Sequence, residues 1–292
     1  MRVLMATDGS NEATAALRAA ARLLADTERE VEVLHIVPEV PAGDEGIARR
    51  VAAQTRRILQ RARQTLLEEG VDAQTRCRGG SAATVLLEEA GGYDVAVVGA
   101  KGRDARSDVG LGPVASRLVE HAAGCVLVGR EPRGEKGFRI LVPLDGSDGS
   151  QQALEALSSL IDLPSAEVTL LHVIETPWLR PGLEEELSGN TDPESNETDP
   201  EVQLSYQLKR DARRLVNEAR ASILPLHPGV TTSIREGSPA NEILSEADQG
   251  EYDLVVMGAS ESADFKHSVL GSVSSKVAWN APCSVLVVRV PQ

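Results

Sequence analysis

The chain repeats itself, and that constrains its fold more than any single motif. Residues 2–35, RVLMATDGSNEATAALRAAARLLADTEREVEVLH, align without a gap on residues 139–172, RILVPLDGSDGSQQALEALSSLIDLPSAEVTLLH. At this offset of 137, Asp8 falls on Asp145, Gly9 on Gly146, Ser10 on Ser147 and His35 on His172. The match resumes at an offset of 159, with Tyr93 and Asp94 on Tyr252 and Asp253, Gly99 on Gly258, and Gly112 on Gly271. VLV at 126–128 then falls on VLV at 285–287. Two copies of one domain are expected, over 1–130 and 138–292, joined by the polar linker EPRGEKG at 131–137. A chain of 292 residues is long enough for two domains of usual size.

The change of offset puts 22 extra residues into the second copy, within an acidic insertion at about 175–203. From Glu175 to Glu201 it carries nine acidic residues against one base, Arg180. So charged and apolar-poor a segment cannot bury a core and reads as a mobile loop, with a lid or partner tether as the functional alternative.

Each copy alternates short apolar runs with helical spacing. In the first, strands are read at VLMAT, VEVLHIV, DAQTRC, DVAVVGA and CVLVG. Helices are read at 11–24, where Ser10 is placed as the cap, at GIARRVAAQTRRILQRARQTLLEEG, at AATVLLEEA and at VASRLVEHA. Alternating strand and helix units of this kind build an α/β fold, a parallel sheet covered by helices on both faces.

Composition excludes several function classes. The net charge of −14 argues against a nucleic-acid partner, which wants a basic face. Aromatics at 2% argue against base-stacking platforms. No apolar run is long enough for a membrane span, and Asp8 comes too early for a signal-peptide core. Cys77, Cys125 and Cys283 form no CxxC and no ligand spacing with the five histidines, which suits a reducing cytoplasm and a metal-free protein.

Chemistry concentrates in GAKGRDARSDVGLGPVAS, residues 99–116. In parallel sheets ligands sit beyond the carboxyl ends of the strands, where the strand order reverses. The first strand ends at Asp8-Gly9-Ser10 and the fourth at Gly99. If these strands are neighbours, both ends face one crevice; the sequence leaves that adjacency open. No GxxxxGK[ST] is present, and GLGPVA lies some ten residues past its strand, too far for a dinucleotide fingerprint. What remains is Gly99-xx-Gly102-x9-Gly112, the last glycine opening a helix, with Gly110 given no role. Asp8 and Asp145 read alternatively as turn and cap residues, and His35 and His172 as packed or hydrogen-bonded strand residues. No nucleophile–base pair can be argued from spacing, so the chain is not read as an enzyme.

That glycine spacing, the DGS after the first strand and LHI or LHV in the second resemble the universal stress protein family, as do ILVPLDGS and GSVSSKVAWNAPCSVLVVR in the second copy. The resemblance covers nearly all of both copies. It implies two tandem doubly wound domains, each a five-stranded parallel sheet of the adenine-nucleotide alpha-hydrolase-like class. It implies a stress-linked regulator that binds ATP, with Mg²⁺, in members holding G-xx-G-x9-G-[ST]. Carried onto this chain, Asp8 would meet the ribose, and Ile36 would contact adenine through its backbone. Gly99 would lie against the sugar. Gly102, Gly112 and the helix start at Pro113 and Val114 would hold phosphates. Backbone N–H groups at a helix start do bind anions, and glycine allows close approach. The copies would pack as a pseudo-dimer through 126–128 and 285–287, with a homodimer of chains as a further expectation.

Each copy departs from the pattern. The first has Pro113 where the family holds Ser or Thr, which removes an N–H and a hydroxyl, although proline also starts helices well. The second keeps Gly271 and Ser272 but has Glu261 for the middle glycine. A carboxylate about 5 Å from a phosphate charge repels it by roughly 3 kcal/mol at an effective dielectric of about 20. The first loop instead offers Lys101, Arg103 and Arg106 against Asp104 and Asp108. The expectation is therefore ATP in the first copy and a degenerate second site. The alternatives are an interaction module in which both sites have decayed, and a weak ATP hydrolase.

Overall fold

Val3, Leu4 and Met5 are consecutive and all fully buried, as in a strand covered on both faces. They lie in the first strand of a computed structural model that describes residues 1–24, 29–38, 44–103, 110–133, 138–161, 166–175, 200–259 and 270–289. Most of the acidic insertion, Glu261, Asp104, Arg106, Asp108 and linker residues 134–137 lie outside the described residues.

The first copy runs β1 (Arg2–Ala6), α1 (Asn11–Leu24), β2 (Glu30–Val37), α2 (Glu45–Glu68), β3 (Gln74–Gly79), α3 (Ala82–Ala90), β4 (Val95–Gly99), α4 (Pro113–His121) and β5 (Cys125–Gly129). The second runs β6 (Arg139–Leu144), α5 (Asp148–Leu160), β7 (Glu167–Ile174), α6 (Pro200–Ile223), β8 (Thr231–Glu236), α7 (Pro239–Gln249), β9 (Leu254–Gly258), α8 (Ser272–Asn280) and β10 (Ser284–Val288). The third strand starts two residues later than the DAQTRC reading, and the long α2 stops before Gly70, which adopts φ +81°.

All ten strands form one sheet in the order β3-β2-β1-β4-β5-β10-β9-β6-β7-β8. Strands within each copy pair in parallel, as alternating units require. The open question of adjacency is answered by β1, which lies between β2 and β4 and pairs Val3 with Val95 and Met5 with Val97. Strand order reverses there, and again at β6 between β7 and β9. Val3, Met5, Val33 and Val97 pack with Leu17 of α1 and Leu66 of α2. Leu4, Leu34 and Val98 face the other way, with Leu86 of α3 and Leu118 of α4. Each such side chain contributes about 1.5–3 kcal/mol by burial.

The halves meet where β5 and β10 pair antiparallel, with Val126 opposite Val287, Leu127 opposite Leu286 and Val128 opposite Val285. Two arginines related by the repeat close this joint. Arg289 donates to the carbonyls of Val119 (2.7 Å), Glu120 (3.2 Å) and Ala122 (3.3 Å) at the end of α4. Arg130 donates to those of Ala278 (3.0 Å) and Cys283 (2.9 Å) around the end of α8. Each guanidinium thus satisfies orphan carbonyls of the other copy's helix, at its negative end.

Gly110 is not idle, as the loop spacing alone implied. It adopts φ +89°, and a Cβ there would lie 2.8 Å from the Trp279 ring of the other copy. It is glycine because the loop before α4 turns left-handed against that indole.

Candidate functional site

The site begins with the turn after β1. Gly9 adopts φ +79°, and a Cβ there would sit 2.9 Å from Ile58 of α2. Asp8 closes the turn: its Oδ1 accepts the Ser10 N–H at 2.9 Å, an Asx turn. Ser10 Oγ then accepts the Ala13 N–H at 3.1 Å and caps α1, as its position predicts. The other Asp8 oxygen, Oδ2, accepts the Arg103 N–H at 2.7 Å. Burial pushes the Asp8 carboxyl up, but the hydrogen bonds from Ser10 and Arg103 outweigh it and hold the group below its ordinary value. Each oxygen keeps a lone pair for a further donor.

His35 is buried in β2 with Nδ1 2.7 Å from the Thr7 carbonyl. A carbonyl only accepts, so Nδ1 carries the proton, and the ring ties β2 to the end of β1. This supports the packed reading of His35 and sets Ile36 at the rim beside it. His172 repeats the bond to Leu144 O at 2.7 Å.

The glycines have separate physical causes. A Cβ on Gly99 would lie 2.9 Å from the Glu12 carbonyl carbon and 3.0 Å from the Ala13 nitrogen, so the backbone of α1 itself excludes a side chain. A Cβ on Gly102 would lie 3.0 Å from Asp8 Oδ2, so this glycine makes room for the carboxylate. Gly112 donates to Ala100 O at 2.8 Å and occupies the N-cap of α4 without a side-chain cap. Pro113 is the first helical residue, and the ladder starts with the Ser116 N–H on Gly112 O at 2.9 Å. The amides of Val114 and Ala115 therefore have no intrahelical acceptor.

All seven residues singled out in the sequence, Asp8, Ile36, Gly99, Gly102, Gly112, Pro113 and Val114, line one crevice of about 390 Å³. That lies within the roughly 300–1,000 Å³ usual for small-ligand clefts. Lys101 and Arg103 share the lining, and Ala13, Leu86 and Val98 give it an apolar wall. Thr7, Ala82 and Leu86 were missed by the sequence reading. Leu86 belongs to the apolar stripe of α3, and nothing in a stripe separates a cleft wall from a core.

The second copy has a crevice of about 680 Å³ at the equivalent place, lined by Asp145, Gly146, Val173, Gly258, Gly271 and Ser272 among others. Asp145 accepts both the N–H (2.9 Å) and the hydroxyl (2.5 Å) of Ser147. Burial again pushes its carboxyl up, and the Ser147 hydrogen bonds hold it below its ordinary value. The lining differs in charge. It carries Asp145, Glu175 and Asp211 and, among the described residues, no Lys or Arg.

Residues 1–130 and 138–289 each match the family model described as the universal stress protein family. A universal stress protein of Mycolicibacterium smegmatis is 28% identical over 307 residues, covering 98% of this chain and 96% of that protein. Universal stress protein MJ0531 of Methanocaldococcus jannaschii is 30% identical over 155 residues, covering 53% of this chain and 83% of that protein. A solved universal stress protein from Archaeoglobus fulgidus shares the fold, with a TM-score of 0.68 at 17% identity over 99% of this chain and 98% of its own. The doubly wound halves and two family matches spanning nearly the whole sequence lead to one conclusion: this chain belongs to the universal stress protein family.

Proposed function

We propose that the chain is an adenine-nucleotide-binding regulator that takes ATP, with Mg²⁺, in the first crevice and not in the second. The observation that carries this reading is the contrast in lining charge. Among the described residues, the first crevice is lined by Lys101 and Arg103 together with the start of α4, against one carboxylate, Asp8. Among the described residues, the second is lined by three carboxylates, Asp145, Glu175 and Asp211, and by no Lys or Arg. A polyphosphate gains from the first arrangement and is repelled by the second.

The residues present fit the nucleotide. Asp8 offers lone pairs to ribose hydroxyls, Ile36 a rim for the base, and Gly102 and Gly112 a close backbone approach. Pro113 removes one donor, worth about 1.5–3 kcal/mol toward a charged group, and the cation of Lys101 compensates. Magnesium is commonly held through substrate phosphates and water rather than an all-protein cage, so it would enter with the phosphates. The pairing of β5 with β10 supports reading the two copies as an intramolecular pseudo-dimer.

Calorimetric titration of ATP and Mg²⁺ into the full chain tests the proposal. One ATP per chain is expected, and binding is lost in Gly102→Glu, whose carboxylate would enter beside Asp8. No binding by the wild type overturns the reading and leaves the interaction-module alternative. A second site gained in Glu261→Gly assigns the block in the second copy to that carboxylate. Phosphate release measured in the same samples separates binding from slow hydrolysis.

A further inference from the structure

The first crevice holds two cations that the argument above treats together, yet their surroundings differ. Lys101 is half-buried, and among the described residues it has no hydrogen bond or ion pair. Its Cα lies 3.4 Å from where a Gly112 Cβ would be, so it is anchored beside the start of α4. Arg103 is already engaged. Its N–H holds Asp8 Oδ2 at 2.7 Å, and its guanidinium Nη2 donates to the Asp8 carbonyl. The same Nη2 lies 3.2 Å from where a Gly9 Cβ would be, so the guanidinium lies over the left-handed turn that aims Asp8. One residue thus clamps Asp8 at both its carboxylate and its carbonyl. Reaching a phosphate at the α4 end would mean leaving the Asp8 carbonyl.

We infer that these cations divide their roles: Lys101 supplies the counter-charge for a phosphate group, and Arg103 is a positioning residue that sets Asp8 for a hydroxyl-bearing ligand and meets no phosphate. The inference rests on the nucleotide reading for its ligand and on the clamp alone for Arg103. A planar guanidinium suits the clamp, because it holds direction as well as charge, whereas a flexible ammonium suits a mobile phosphate oxygen. The state of Asp8 agrees: the charge of the Arg103 side chain adds to the backbone N–H bonds that hold its carboxyl low, and Arg103→Ala removes that charge while keeping the backbone bond.

The test compares ATP and adenosine as probes on the full chain. Lys101→Ala is expected to weaken ATP by about tenfold to hundredfold, the range of a charge-assisted hydrogen bond, and to leave adenosine unchanged. Arg103→Ala is expected to weaken both by one common factor of about threefold to tenfold. A carbon-detected NMR titration adds a readout that needs no ligand: the Asp8 carboxyl pKa rises in Arg103→Ala and stays put in Lys101→Ala. Selective loss of ATP in Arg103→Ala, parallel loss of both probes in Lys101→Ala, or an unmoved Asp8 titration in Arg103→Ala would each overturn the inference. Failure of the wild type to bind ATP overturns the nucleotide reading, and the Asp8 titration still decides the role of Arg103.

Discussion

The two crevices grow from the same turn and diverge at their walls. Gly9 and Gly146 adopt φ +79° and +81°, Asp8 and Asp145 each close an Asx turn, and His35 and His172 each donate to the preceding strand end at 2.7 Å. The scaffold is thus preserved where its chemistry is backbone chemistry. Among the described residues, the first wall then carries Lys101 and Arg103, and the second carries Glu175 after β7 and Asp211 of α6. A duplicated fold keeps the turn because strand and helix must still be joined, but nothing in that join prescribes the charge of the loops beside it.

Close packing differs between the halves too, and gives the sharpest way to break the comparison. Gly258 repeats Gly99, but a Cβ on it would lie 2.1 Å from Gly149 O, against 2.9 Å to the nearest Glu12 atom for Gly99. Overpacking costs about 1–3 kcal/mol, so Gly258→Ala is expected at about 3 and Gly99→Ala at about 1–2. Calorimetric unfolding measures both, and the reverse order would refute the tighter contact in the second copy. Next comes the arginine pair. Arg289 is 5% exposed, whereas Arg130 is half-buried. Arg289→Ala is expected to lose about 2–3 kcal/mol and Arg130→Ala about 1–2, since the more buried carbonyls lose charged donors without gaining water.

A smaller effect is expected at the contact between the halves. Gly110→Ala strains a left-handed residue and displaces Trp279, for about 1–2 kcal/mol. In a Trp178→Phe background the remaining indole emission should shift to the red, and an unmoved spectrum would mean the contact is loose. The smallest effect belongs to a surface network at the first copy's edge, where two arginines share one carboxylate, whereas at the second copy's edge one arginine, Arg235, pairs with two, Glu242 and Glu246. Glu89 accepts from both Arg76 and Arg78, and hydrogen bonds from Arg76 and then Arg78 hold its carboxyl at about 2 against an ordinary 4.5. A depressed folded-state pKa stabilises above pH 4.5 and loses that contribution as pH falls through about 2. Both arginines are more than a third exposed, so solvent screening leaves about 1 kcal/mol of that contribution. Glu89→Gln should destabilise by about that much at pH 7, by progressively less as pH falls below 4.5, and by nothing well below about 2, as acid-dependent unfolding would measure.

Much of the site was legible because its signals are local. Asp8-Gly9-Ser10 reads as a turn and cap from three adjacent residues, and the glycine spacing marks a loop that ends on a helix. The causes behind those letters were less legible. Gly99 and Gly102 look alike in a motif, yet one yields to the backbone of α1 and the other to the carboxylate of Asp8. Gly110 looked idle because its partner, Trp279, lies in the other copy. Lys101 and Arg103 looked interchangeable because charge is local and hydrogen-bond partners are not.

The amino-acid sequence by itself determined the duplication, the alternation of strands and helices, and the turn and cap at Asp8-Gly9-Ser10, which depend on periodicity and on turn chemistry within a few residues. The other crevice residues singled out came from the resemblance to the family. Only the tertiary structure decided that β1 lies against β4, that β5 and β10 join the halves antiparallel, and that Arg130 and Arg289 each hold the other copy's helix. It also decided which cation's backbone lies beside the start of α4 and which side chain is already bound to Asp8. These are contacts between groups far apart in the chain, settled by which surfaces exclude water together and which donors find acceptors, and no local pattern carries that information.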